Sequence, residues 1–119
     1  MKAVLLVSHG SRSPRTKKEI LALVNALFQR LPGVIIEYAF LDIESPDIPE
    51  GIDKCVSQGA GEIIVALNFL NSGRHVNEDI PAIVAEAQKK HPGVKFAVTQ
   101  PIGQHSQIPG LFIDLINDV

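Results

Sequence analysis

Two histidines stand just after apolar runs: His9 in "LLVSHGSR" and His75 in "FLNSGRHVNEDIP". A neutral imidazole can bind a borderline divalent metal or accept a proton near neutral pH, although one nitrogen cannot do both at once. If the two rings face each other across a crevice, they suit cobalt, nickel, iron or zinc. Glu78, three residues beyond His75, can share its face if both lie on the first turn of a helix. Two or three protein ligands leave coordination positions open, as a catalytic or transfer site requires.

Other residues fit the same chemistry. Arg12 follows His9 and Arg74 precedes His75, and Arg15, Lys17 and Lys18 lie close behind the first. Together with helix N-termini they make the crevice locally positive and attractive to a polyanion. A solvated first helical turn accounts better for Lys17 and Lys18 than for Arg12 or Arg74. Asp42 ends the second predicted strand and Glu44 follows it. Either can accept protons or lie near a metal, and either can instead serve a helix start. His105, in "PIGQHSQIP", falls on the same edge as a substrate-binding or capping residue. His91, in "KKHPG", reads as a solvated residue at a helix end. Ser8 and Gly10 flank His9, and Gly10 suggests a phosphate cradle. The patterns G-x-G-x-x-G and Walker A are absent, so nucleotide binding is not indicated.

These residues need a scaffold that brings distant loops together. Four apolar runs, Ala3 to Val7, Val34 to Leu41, Glu62 to Leu67 and Val94 to Thr99, lack polar alternation and read as parallel strands buried on both faces. Between and after them lie four helical segments. The first is introduced by Ser13 and Pro14 and carries Ile20, Leu23, Val24, Leu27 and Leu31 at helical spacing. The second turns Ile48, Ile52, Cys55 and Val56 inward, with Gly51 lowering its intrinsic stability. The third buries Ile80, Ile83, Val84 and Ala87. The fourth is expected to pack Leu111, Leu115 and Ile116 inward. This alternation predicts an α/β flavodoxin-like fold, a four-stranded parallel sheet of order 2-1-3-4 with helices on both faces. The first and third strands are then neighbours, and His9 and His75 meet beyond their C-terminal ends, where such sheets bind ligands.

Composition narrows the function classes. A chain of 119 residues suits a single domain spanning residues 1–119. A net charge of −2 lacks the basic excess of a nucleic-acid binder. The longest apolar run, Ile63 to Leu70, is interrupted by Asn68 and falls short of the roughly 20 residues that span a bilayer. The N-terminus reads as a buried strand rather than a signal segment, which leaves a cytoplasmic protein. The single cysteine, Cys55, excludes an internal disulfide and reads as a small buried hydrophobe.

The motifs "LLVSHGSR", "YAFLDIESPDIPEGI", "FLNSGRHVNEDIP" and "QPIGQHSQI" resemble, in order and spacing, the small form of the CbiX class II tetrapyrrole chelatases. The resemblance covers essentially the whole chain, and the third motif is its most specific part. It implies a chelatase domain of flavodoxin-like fold, a homodimer, and insertion of Co2+, alternatively Ni2+ or Fe2+, into sirohydrochlorin on the way to cobalamin, siroheme or a nickel coenzyme. No permanently bound cofactor is implied, since the ion is a substrate. The family's paired metal histidines map onto His9 and His75, and its acidic residue onto Asp42, where many members carry Glu. Some archaeal members have a histidine-rich insert where this chain has only "KKHPG", which argues against a built-in metal store. The carboxylates of sirohydrochlorin would account for Arg12 and Arg74. Two other readings use the same residues. A metal or tetrapyrrole carrier would bind without accelerating insertion. A histidine phosphatase would phosphorylate His9, but Ser8 stands where that family has its phosphate-binding arginine.

Overall fold

Strand β1 (Lys2–Ser8) pairs in parallel along both edges, with β2 (Ile35–Phe40) on one side and β3 (Glu62–Leu67) on the other. β4 (Lys95–Val98) extends the sheet beyond β3. The resulting order, β2-β1-β3-β4, is the one expected from the alternating pattern. It is seen in a computed structural model that describes residues 1–119. The register sets Ser8 opposite Phe40 and Val7 opposite Leu67, so the chain leaves all three strands at one level of one edge.

The four helices are α1 (Pro14–Arg30), α2 (Ile48–Ser57), α3 (Ile80–Lys90) and α4 (Ile108–Asn117). Ser13 is the N-cap of α1 but makes no side-chain cap; its own N–H donates to Ser11 Oγ at 3.0 Å. At α2, Asp47 and Glu50 satisfy each other's backbone N–H groups at 2.9 Å, a reciprocal cap that the hydrophobic period does not reveal. Gly51 has a packing role beyond its low helix propensity. A Cβ there would lie 2.8 Å from Leu5 Cδ1 and 2.9 Å from Ala39 Cβ, so glycine lets α2 settle closely on β1 and β2.

Alternate residues of the strands serve two unequal cores. Ala3, Leu5, Val7, Ile63, Val65 and Leu67 point to the face covered by α2 and α3, where Ile48, Ile52, Cys55, Ile80 and Ala87 complete the main cluster. Cys55 is fully buried, and burial, helped by the charge of Glu37, pushes its thiol up to about 12. On the other face only Leu6, Ile20 and Phe40 form a buried cluster, with Val24 of α1 against them.

The thin second core has a direct cause in α4. Leu111, Leu115 and Ile116, expected to pack inward, are 53%, 67% and 65% exposed, and no residue of α4 is buried. The apolar face is present, but the helix projects from the body instead of covering the sheet. Beneath the space it leaves is a groove of about 460 Å³ lined by Leu6, Leu23, Leu27, Ala66 and Ile102 among others. No helix is long and apolar enough to cross a membrane.

Candidate functional site

The loops that leave β1, β2 and β3 are knitted together by backbone contacts. Leu41 N–H donates to the Ser8 carbonyl at 2.9 Å, and Asp42 N–H to that of His9 at 3.0 Å, so the loop after β2 runs beside the histidine. Gly10 adopts φ 106°, and a Cβ on it would collide with the Asp42 carbonyl. Its need for glycine is therefore a close backbone approach rather than a phosphate cradle. Glu44 holds the same loop from the side, its Oε1 accepting the Ser11 N–H at 2.8 Å.

Ser8, expected at the substrate site, is a buried polar residue tied to the neighbouring strand exit. It is 6% exposed, and its Oγ accepts a hydrogen bond from Asn68 Nδ2 at 3.0 Å. The Asn68 N–H donates to the Val7 carbonyl at 2.8 Å. The polar interruption in the longest apolar run thus fastens the exits of β1 and β3. Its signal was present in the sequence, but its partner was not.

His75 opens a single π-helical turn, His75–Asp79, that runs directly into α3. Within it the Ile80 N–H reaches back to the His75 carbonyl. This wider turn sets the fourth residue on, not the third, over the imidazole. Asp79 Oδ2 lies 2.7 Å from His75 Nδ1, whereas Glu78, expected to share the histidine's face, instead lies 3.8 Å from Arg74 Nε. An ionised carboxylate can only accept, so His75 Nδ1 is the donor, and in the neutral ring Nε2 then holds the free lone pair. Arg74 and Glu78 are both well exposed, and such a pair contributes little to stability.

The rings of His9 and His75 are brought together as the strand order requires, with centroids 5.4 Å apart and planes inclined at 65°. No third His, Cys, Asp or Glu completes a metal-holding cluster with them. The Asp42 carboxylate is turned toward its own loop, with Oδ1 accepting the Ile43 N–H at 2.8 Å. Arg12 is exposed and forms no ion pair. The site is therefore a pair of imidazoles, one braced by a carboxylate, with open positions for an ion or a proton-bearing ligand.

His105 is a local brace. Its Nδ1 accepts the Gln107 N–H at 3.0 Å, just before α4, and its side chain borders the open groove. The segment before it is attached to the chain leading to His75: Gly103 N–H donates to the Phe69 carbonyl at 3.0 Å and Gln104 Nε2 to that of Leu70 at 3.0 Å. A Cβ at Gly103 would collide with Leu70, a constraint that only the folded chain reveals. A second cavity, of about 480 Å³ between α2 and α3, shares no residue with the histidine site. Asp53, Lys90 and His91 lie at its rim, with both Asp53 contacts at 3.1 Å. His91 is thus paired with Asp53 and 17% exposed, rather than freely solvated.

The profile of the CbiX family matches residues 3–119. The chain is 32% identical over 115 residues to the chloroplastic sirohydrochlorin ferrochelatase of Arabidopsis thaliana, covering 97% of this chain and 49% of that protein. It is 36% identical over 108 residues to the sirohydrochlorin cobaltochelatase of Priestia megaterium, covering 90% of this chain and 35% of that protein. The structure of the sirohydrochlorin chelatase SirB from Bacillus subtilis subspecies spizizenii in complex with cobalt superposes with a TM-score of 0.90 at 29% identity, over 99% of this chain and 50% of SirB. The chain thus spans half or less of the length of these relatives.

Proposed function

Because the chain belongs to the CbiX family, we propose that it is a sirohydrochlorin chelatase in which His9 and His75 receive the divalent metal substrate. The observation that carries this reading is the meeting of the two imidazoles from separate loops, with Asp79 behind one of them. With metal–nitrogen bonds of about 2.1 Å, each ring centroid lies about 3.2 Å from a shared ion. If a nitrogen of each ring is aimed at that ion, a centroid separation of 5.4 Å corresponds to a nitrogen–metal–nitrogen angle close to tetrahedral.

Insertion must strip ligands from the ion, remove two pyrrole protons and hold the macrocycle while its nitrogens replace the lost ligands. Two protein ligands hold an ion loosely enough to give it up. Asp79 keeps the His75 Nε2 lone pair available, so the ring can bind the ion and, after its release, accept a pyrrole proton. The second Asp42 oxygen offers a further proton acceptor on the neighbouring loop. Arg12 and Arg74 draw in the carboxylate rim of the macrocycle, and the helix start at His75 favours the same charge.

Co2+ is the proposed substrate, with Ni2+ and Fe2+ as alternatives. Imidazole nitrogens follow the general affinity order of first-row ions, in which Co2+ stands above Fe2+. Relatives are named for both cobalt and iron. The reading also includes a homodimer, since two copies supply roughly the length of the relatives above.

The test is a spectroscopic assay with sirohydrochlorin and each ion in parallel, against a control without protein. Many macrocycles metallated per protein, fastest with Co2+, is the expected result. Stoichiometric binding without acceleration would replace the enzyme by a carrier.

A further inference from the structure

Ile43 is the only non-glycine residue in the left-handed region, at φ 70°, a conformation that a β-branched side chain strongly disfavours. Across it the Glu44 N–H donates to the Asp42 carbonyl at 2.7 Å, which makes the turn the rare, strained form of the γ-turn. Both sides of the turn are tied down. Asp42 Oδ1 accepts the Ile43 N–H at 2.8 Å, the Asp42 N–H donates to the His9 carbonyl, and Glu44 Oε1 accepts the Ser11 N–H. Where only a turn is needed, glycine or asparagine takes such a position without strain. Isoleucine there also leaves its side chain 55% exposed, so backbone strain and an exposed apolar group coincide beside His9.

A second exposed apolar side chain lies on the loop that leads to the other histidine. Leu70, 67% exposed, precedes Arg74 and His75, and its backbone is held in place. Its carbonyl accepts a hydrogen bond from Gln104 Nε2 at 3.0 Å, the Phe69 carbonyl accepts one from the Gly103 N–H, and Gly103 packs directly against it. In the strand order β2-β1-β3, Ile43 follows the strand on one side of β1 and Leu70 the strand on the other. Two apolar side chains on fixed backbones thus bracket the loop of His9. Neither belongs to a buried cluster, and neither lines the groove beside α1.

We propose that Ile43 and Leu70 seat the substrate, their side chains bearing on an apolar face of a flat conjugated macrocycle whose centre meets His9 and His75. This deepens the chelatase reading, on which it rests. Arg12 and Arg74 meet the charged rim of the disk in that reading, and Ile43 and Leu70 add the residues that meet its face. A disk with apolar faces and a carboxylate rim needs both kinds of contact. Backbones already held in place lose little freedom when the disk arrives, so most of the gain from covering the two side chains appears as affinity. Contacts fixed before binding also set where the disk stops relative to the imidazoles.

The experiment titrates metal-free sirohydrochlorin into full-length wild type, Ile43→Gly, Ile43→Val and Leu70→Ser, followed by the absorbance of the macrocycle, with Co2+ affinity and Tm measured on the same samples. Ile43→Gly and Leu70→Ser should each raise the macrocycle dissociation constant about 5–10-fold, as expected when about half of a large apolar side chain no longer finds cover. Co2+ affinity should not change. Tm should hold or rise in Ile43→Gly, where the strain is gone. Ile43→Val keeps a branched apolar side chain and should stay within about 3-fold of wild type. Equal macrocycle affinity in wild type, Ile43→Gly and Leu70→Ser would overturn the seating role and leave the chelatase reading standing. Loss of Co2+ affinity and of Tm together with macrocycle affinity would make Ile43 a residue that shapes the loop, and would overturn the proposal as well. A wild type that binds no macrocycle would remove the chelatase reading itself, and the seating role with it.

Discussion

On one face of the sheet, α2 and α3 enclose a cluster of 14 buried residues, whereas the opposite face keeps three, Leu6, Ile20 and Phe40. The two faces do not differ because one lacks apolar side chains. α2 buries Ile48, Ile52 and Cys55 within its own chain, while α4, which is at least as apolar, buries none of its residues. Hydrophobic spacing therefore states that a face must be covered, and leaves open what covers it. The histidine pair lies on the rim where both faces end, braced by hydrogen bonds rather than by either core.

The largest difference is expected from cutting similar volumes from the covered helix α2 and the exposed helix α4. Ile52→Ala should cost about 2–5 kcal/mol in denaturant unfolding, the usual result of a cavity in a closed core. Leu115→Ala, at a dilution where copies are apart, should stay within about 0.5 kcal/mol, as an exposed substitution does. Equal losses would mean that α4 is packed in the isolated chain.

A smaller effect is expected on the rim. Asp79→Asn can still occupy the space but can also donate to His75 Nδ1, which disturbs the tautomer that frees Nε2. Co2+ affinity, read by calorimetric titration, should fall about 10–100-fold, with recovery in Asp79→Glu and little change in unfolding free energy. A loss of stability without a loss of affinity would make Asp79 a packing residue only.

The smallest effect tests the outside of the closed face. The Lys90 ammonium, followed by His91, holds the Asp53 carboxyl below its ordinary value of 3.8 despite some opposing desolvation. A depressed carboxyl stabilises the fold above its unfolded value and loses that contribution as pH falls through the lower folded value. Wild type and Asp53→Asn should therefore differ by under about 1 kcal/mol at neutral pH, because the pair is largely solvated, and should converge well below pH 3.8. A constant difference across that range would remove the ion pair from the account.

Much of the scaffold was legible in the sequence. Unbroken branched runs mark the parallel strands, and the β-α alternation makes β1 and β3 neighbours, which is why the sequence alone pairs His9 with His75. Other features needed the third dimension. Glu78 gave way to Asp79 because a π turn shifts which residue lies over the histidine, and no spacing rule in the sequence announces that turn. Ser8 and Gly10 sit beside His9 in sequence, yet one is held by Asn68 and the other is required by the Asp42 carbonyl. Gly103 is required by the Leu70 backbone that lies against it, a contact that nothing in the sequence announces. The spacing in α4 marks an apolar helix but not a buried one: Leu111, Leu115 and Ile116 are exposed, since periodicity does not say whether the rest of the chain covers the face.

The proposed chelatase role rests on the two histidines together receiving the metal and passing it to the macrocycle. It is tested most directly by measuring insertion of Co2+ into sirohydrochlorin by His9→Ala and His75→Ala beside the wild type, with circular dichroism to confirm folding. Each folded variant is expected to fall to the uncatalysed rate and to bind Co2+ far more weakly. Folded variants that insert the metal at the wild-type rate would contradict it.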